Sequence, residues 1–350
     1  MTKPLKITFI TLLVLLVLGV IGYFVADAII ASNLDNFLKS KLPENTSVDY
    51  ESVDINIWQG SVVMVRPKIL SKASGTSKVR AEIELDTIIV DGFGYWSYLI
   101  KNDIHMESVQ LRSPKLCYNY DKAVPKNESN NSSLNGLKQE IKVDRFNIQN
   151  GKLSIRDMAT DSIMLHSERV TANFMSILLN AASVKKPLPF SFEDYNLSFN
   201  DLFYSMGAYE NLTISDAQIT QEKATFHQMK IFTKYSKVKL SQIISTERDH
   251  FDIIIPSLIF EHQKFGYEQD SVFYFKCRKV IFENPEMFIY RNKLIVDDIR
   301  PKDLYSKMLR DMKFDLTLSE VQLKDATIVY SEKVNIDMQA GKLSFTKMKA

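Results

Sequence analysis

The residues that could carry chemistry are thinly spread. The five histidines are His105, His166, His227, His250 and His262, and no two of them are separated by two or four positions. A metal site built on one strand or one helix needs such spacing to aim two imidazoles at the same ion. Cys117 and Cys277 stand far apart and form no CxxC pair. Two readings of them stay open: a disulfide formed outside the cytosol, or two small buried apolar residues. There is no G-x-S-x-G nucleophile elbow and no P-loop. Asp91-Gly92-Phe93-Gly94 holds a lone GxG, which reads as a turn. Asp297 and Asp298 are adjacent, so on a strand they would point to opposite faces and could not act together. The expectation is a protein that is not an enzyme and holds no metal or cofactor.

The elements that must position these side chains are mostly strands. Of 350 residues, 45% are hydrophobic, and the 21 Phe and 15 Tyr favour pleated, half-buried backbone. Glycine and proline are scarce, at 11 and 10, which excludes collagen-like and linker-like chains. The formal net charge of +2 gives no basic excess to neutralise phosphates, so no nucleic-acid partner is expected.

One segment is different. Residues 7–25 (ITFITLLVLLVLGVIGYFV) carry no charge, and at about 1.5 Å per residue they span close to the ~30 Å hydrocarbon core. Ile7, Phe9, Leu12, Leu16, Val20 and Phe24 are the expected anchor side chains. Lys3 and Lys6 precede the run, while Asp27 and Asp35 follow it. That bias predicts a cytoplasmic N-terminus and a body across the membrane. Ala26-Asp27-Ala28 has the form of a signal-peptidase site, but the apolar run exceeds the ~7–15 residues of a signal core, which favours an uncleaved anchor. Ile29, Ile30, Leu34, Phe37, Leu38 and Leu42 then recur at helical spacing up to Pro43, predicting a stalk helix.

Past Pro43 the period becomes two. Asn150-Gly151 is a strong hairpin signal, since a type I′ turn needs φ > 0 at both central residues. Folding VDRFNIQNGKLSIRD there sets Ile148 against Leu153 and Phe146 against Ile155, with all four on one face. The same offsets recur at Val109, Leu111, Leu116 and Tyr118 around Ser113-Pro114. They recur at Val280, Phe282, Met287 and Ile289 around Asn284-Pro285, and at Val321, Leu323, Ile328 and Tyr330 around Asp325-Ala326. Ile55, Ile57, Val62 and Met64 repeat them around Gln59-Gly60, and Leu212, Ile214 and Ile219 give a partial copy. Val109 and Val280 lie 171 positions apart, as do Pro114 and Pro285, and Phe146 and Val321 lie 175 apart. Two copies of a long β unit are therefore expected. Residues 126–136 (KNESNNSSLNG) read as a polar loop. Short helices are predicted within 178–189 and 301–312.

The order of these pieces resembles the AsmA-like proteins of diderm bacteria. The resemblance is carried by the lone anchor, then KLPENTSVDYESVDINIWQGSVVM, then ELDTIIVDGFGYWSYLIKNDIHMESVQLRSPKLCYNYD, then VDRFNIQNGKLSIRD. It covers most of the chain as a pattern of strands, and no functional residue transfers one for one. It implies an anchor in the bacterial inner membrane and a body in the periplasm. It also implies a long curled antiparallel sheet, a β-groove with an apolar inner face and a few short helices.

The expected division is 1–30 tip and anchor, 31–47 stalk helix, 48–208 first unit, and 209–350 second unit. The second unit stops short of a cap, so a longer natural chain or a covering partner is expected. Phe146, Ile148, Leu153, Ile155, Val321, Leu323, Ile328 and Tyr330 are the candidate lipid-facing residues. The function implied is binding or transfer of phospholipid between the inner and outer membranes, with membrane lipids and other envelope proteins as partners. The alternative is an assembly factor for envelope proteins whose apolar strands close into a sandwich.

Overall fold

The computed structural model describes residues 45–56, 58–73, 78–101, 103–121, 139–183, 188, 190–267, 272–301 and 303–350. The expected anchor, stalk helix and polar loop lie outside these residues, except that residues 46 and 47 at the end of the stalk segment already belong to the first strand. No helix among the described residues is long and apolar enough to cross a membrane. The chain is mainly β, with 65% strand and 7% helix, and its sheet is mostly antiparallel and not closed. It divides into two compact units between Ser198 and Phe199.

The first unit contains β1 (Thr46–Asp49), β2 (Ser52–Asn56), β3 (Ser61–Val65), β4 (Lys68–Lys72), β5 (Val79–Glu84), β6 (Thr87–Phe93), β7 (Ile104–Arg112), β8 (Lys115–Tyr120), β9 (Ile141–Asp157) and β10 (Ile163–Leu179). β11 (Asp194–Ser205) runs across the division. The short early strands are halves of longer ones. β3 pairs with β2 and β6, while β4 pairs with β1 and β5. β6 also pairs with β7, and β5 with β8. The unbroken β9 then runs parallel to β7 along its first half and to β8 along its second. β10 returns antiparallel along the whole of β9.

These pairings correct the expected hairpins. The chain does not reverse at Ser113-Pro114 or at Asn150-Gly151; it continues through a kink. Only one residue at each place is left-handed, Ser113 at φ 48 and Asn150 at φ 53, whereas the tight hairpin turn needs two. Proline at 114 holds its own φ near −65°, which rules out the second. At Asn150, two residues of β9 (Gln149 and Asn150) stand opposite one of β10 (Thr171), the signature of a β-bulge. A Cβ at Gly151 would fit tightly, 3.2 Å from Ile148 Cγ2 and 3.3 Å from the Val170 carbonyl oxygen, so its neighbours would have to give by a few tenths of an ångström. One extra residue restores the side-chain phase, so Phe146, Ile148, Leu153 and Ile155 do join one apolar cluster. Gln59-Gly60 does lie in a hairpin turn, with Gly60 at φ 61, but the register is Ile55↔Val62 and Val53↔Met64. Ile57 lies outside the described residues.

The kinks line up across the sheet. The Arg66 amide donates to the Asp86 carbonyl at 2.9 Å, Asp86 to Arg112 at 3.0 Å, and Ser113 to Gln149 at 2.8 Å. A second line lies nearer the other end, where Gly92 on β6 (φ 67) and Ser176 on β10 (φ 55) flank the row Asp91–Ser108–Arg145–Met175. The lone GxG therefore belongs to this kink and not to a turn between elements.

The second unit contains β12 (Glu210–Thr220), β13 (Lys223–Thr233), α1 (Lys237–Ile243), β14 (His250–Glu261), β15 (Lys264–Tyr267), β16 (Phe273–Glu283), β17 (Glu286–Asn292), α2 (Tyr305–Arg310), β18 (Asp315–Lys324), β19 (Ala326–Lys333) and β20 (Gly341–Met348). β12, β13 and β14 are successive antiparallel neighbours. β14 pairs with both β16 and β17. β18 runs parallel to β16 and β19 parallel to β17, and β20 returns antiparallel to β19. The kinks are Asn284 at φ 50 and Asp325 at φ 50, again in place of hairpins. Leu212, Ile214 and Ile219 likewise lie on one strand, β12.

Parallel neighbours need a long crossover, and α2 occupies the one between β17 and β18. It lies inside the helical segment predicted at 301–312. Of the other predicted segment, 178–189, Leu178 and Leu179 belong to β10, Leu178 bridges Ser191 and Ser183 is in a 3₁₀ turn, while residues 184–187 and 189 lie outside the described residues. α1 had no sequence signal beyond Ser236, whose hydroxyl caps it by accepting the Lys239 amide at 3.2 Å.

Candidate functional site

Four of the five histidines have separate partners. His105 meets Asp144 at 3.0 Å, His166 meets Glu168 at 2.9 Å, and His262 meets Glu222 at 2.8 Å. His250 is buried and shares a hydrogen bond with the Tyr235 carbonyl at 2.9 Å. Each has its own local partner, and among the described residues no three of His, Cys, Asp and Glu could hold a metal ion. Both cysteines are free, and the Cys277 thiol donates to backbone carbonyls at 3.2 and 3.3 Å. Asp297 and Asp298 face different cations, Lys293 and Arg300.

What the sequence does assemble is an apolar sheet face in each unit. In the first unit that face is a filled core. Phe146 and Ile155 are buried in it, among Ile104, Met106, Val109 and Val143, and Ile148 and Leu153 pack against it. Phe174, Phe190 and Phe192 add rings 5.2 to 6.2 Å apart.

In the second unit the buried cluster is small: Ile255, Leu258, Cys277 and Val280, with Phe226, Phe260, Phe275 and Phe282 against it. Phe260 stacks edge-on with Phe226 at 5.8 Å and with Phe275 at 5.7 Å. From this cluster the apolar rows run outward in register. Phe282 lies beside Leu323 and Val280 beside Val321. Met287 lies beside Ile328 and Ile289 beside Tyr330, and these continue to Phe345 and Leu343 on β20. Exposure rises along the same path. Val321, Phe345 and Leu343 are exposed, while Leu323, Ile328 and Tyr330 are half-buried.

The opposite face carries ion pairs among its side chains. Lys279 bridges Glu320 at 2.8 Å and Lys324 bridges Glu283 at 3.0 Å. Lys324 holds the Glu283 carboxyl below its usual range. On the apolar side, burial pushes the Tyr330 phenol up. Arg291, on the same face as Met287 and Ile289, donates two hydrogen bonds to Asp249, at 2.6 and 2.7 Å, and the carboxylate raises the already high pKa of the guanidinium. Of the eight candidate lipid-facing residues, Phe146 and Ile155 thus sit inside packed protein, and the four in the second unit border solvent. The apolar alternation in GKLSF marks Leu343 and Phe345 as sharing one face, but not that this face is exposed.

No family model matches the chain, and no curated protein matches it.

Proposed function

We propose that this chain is an inner-membrane-anchored periplasmic β-groove protein that binds phospholipid and serves its movement between the two membranes. The observation that carries this reading is the half-open apolar face of the second unit, from Val280 out to Phe345. A sheet with one apolar face must cover it with another layer or a ligand. Among the described residues helices supply little of such a layer, at 7% of the structure. Acyl chains suit the second, each buried CH₂ contributing about 0.8 kcal/mol. Such contacts have no preferred direction, so a chain can slide along the face against small barriers. The uncharged run at residues 7–25 and the AsmA-like order of segments support the membrane setting. The filled core of the first unit favours a second, narrower reading for that unit, in which it is a packed structural support.

Photo-crosslinking residues placed at Leu323 and Phe345 in membranes should yield phospholipid adducts by mass spectrometry, while one at Gln322 should not. Equal lipid labelling at Leu323 and Gln322, or no lipid adduct at Leu323 and Phe345, would remove the reading.

A further inference from the structure

The chain has two tryptophans, Trp58 and Trp96, and they are 98% and 76% exposed. Tryptophan is highly buried on average, because its ring is among the largest apolar surfaces a side chain offers. The strand pairings bring both to one end of the first unit. Trp58 lies in the turn between β2 and β3, and Trp96 in the connection from β6 to β7. The two connections touch there. The Phe93 amide donates to the Gly60 carbonyl at 3.0 Å, and Gly60, at φ 61, has no room for a Cβ beside the Phe93 backbone. Ser97–Lys101 form one helical turn. Tyr95 and Tyr98 pack on Phe93, with ring centroids 5.3 and 6.0 Å away. Trp96 and Ile100 stay outside, four positions apart and so neighbours on the turn, with Ile100 71% exposed.

Neither indole belongs to the first unit's apolar cluster. Asn56, Gln59 and Lys101 stand exposed near them, and the half-buried Asp103 is the single carboxylate of the 94–103 connection. An apolar ring with one N–H donor, beside a lysine, is the set of side chains that settles at the level of lipid headgroups. A protein partner is the poorer fit. Two indoles supply about 500 Å² at most, against about 800 Å² per partner in a standard interface. The chain ahead of the described body also favours a bilayer. The uncharged run ends at Val25, 20 positions before Asn45. That connection reaches about 70 Å when extended, and about 45 Å with the predicted stalk helical. Trp58 lies 13 positions beyond Asn45, hence within about 45 Å of it. The two indoles can therefore reach the bilayer that would hold the run. The tether raises the effective concentration of that surface, so a contact too small to capture a free vesicle suffices.

We infer that Trp58, Trp96 and Ile100 dock this end of the first unit on the surface of the bilayer in which the chain is anchored, with the indoles at headgroup depth. The inference rests on the anchor of the proposed reading, and not on lipid at the second unit's apolar face. The chain enters the sheet at the opposite end, where the Asn45 carbonyl accepts the Lys72 amide at 2.8 Å. Tether and docked end are thus two separate points of attachment, which together limit the swing of the unit over the membrane.

Because Trp58 and Trp96 are the only indoles, the tryptophan emission of the full-length chain reads this end alone. The chain is reconstituted in vesicles of phosphatidylcholine and phosphatidylglycerol, with or without bromine on the acyl carbons nearest the headgroup. Bromolipid should lower the emission at least about twofold, and aqueous iodide should quench it far less than free tryptophan. Trp58→Ser and Trp96→Ser should each leave one indole that bromolipid still quenches. Thr160→Trp in a Trp58→Phe, Trp96→Phe background moves the indole to the exposed turn between β9 and β10, at the opposite end, and should lose most of the effect. Retention of the chain after alkaline carbonate checks the anchor separately. Unquenched emission from a retained chain would overturn the docking and leave the anchor standing. Shielding from iodide without bromolipid quenching would overturn it in favour of a protein cover, and equal quenching of the Thr160→Trp chain would overturn the assignment to this end. Release by carbonate would overturn the anchor, and with it the tether that the contact needs.

Discussion

At the scale of single residues, cover and not chemical type separates the apolar positions. Phe146 and Val321 occupy corresponding places, opposite Val109 and Val280, but one is sealed and the other half open. Phe146→Ala should cost about 3–5 kcal/mol in chemical denaturation, because it empties a packed site. Val321→Ala should stay within about 0.5 kcal/mol, as surface substitutions do. Similar losses at both positions would mean that the second unit's face is covered in solution. The sequence marks both residues as apolar and inward. It cannot mark which is covered, because cover depends on a strand or ligand that the alternation does not encode.

At the scale of elements, the strands and their apolar faces were legible, while the direction of the chain was not. A two-residue hairpin turn and a one-residue bulge both return side chains to the same face after five positions. Phe146, Ile148, Leu153 and Ile155 fit either arrangement, and hydrophobic spacing alone cannot choose. The deciding signal lay in the central pair. Ser113-Pro114 and Asn284-Pro285 allow one left-handed residue and forbid a second, which fits a kink and excludes the tight primed turn. The long connections ahead of β9 and β18 also foretold parallel neighbours. Asn150 tests the kink directly. Asn150→Gly should be tolerated, whereas Asn150→Val should lower stability by about 1–2 kcal/mol in urea titration, since a β-branched side chain resists φ 53. Equal stability of the two variants would show that the strand straightens.

At the scale of the whole molecule, each unit follows the same order of pairings: antiparallel neighbours, then a parallel partner across a kink, then an antiparallel return. The first has a filled core and the second an open one, so protection against hydrogen exchange should differ. Amides of residues 141–148 should exchange far more slowly than those of 315–322, beside which no outer strand lies among the described residues. Comparable rates would show that the second edge is paired in solution. The aligned kinks also act on the sheet as punctuation acts on a reading frame. Removing the single codon for Asn150 would take out the extra residue of the bulge and leave Gln149 alone opposite Thr171, so that Leu153 and Ile155 keep the inner face on a straightened strand. Losing two residues there would turn Lys152 and Ser154 inward if Phe146 and Ile148 kept their face. Length variation in such a chain is therefore tolerated in even steps within a regular stretch of strand, and in a single step only where it adds or removes the extra residue of a bulge.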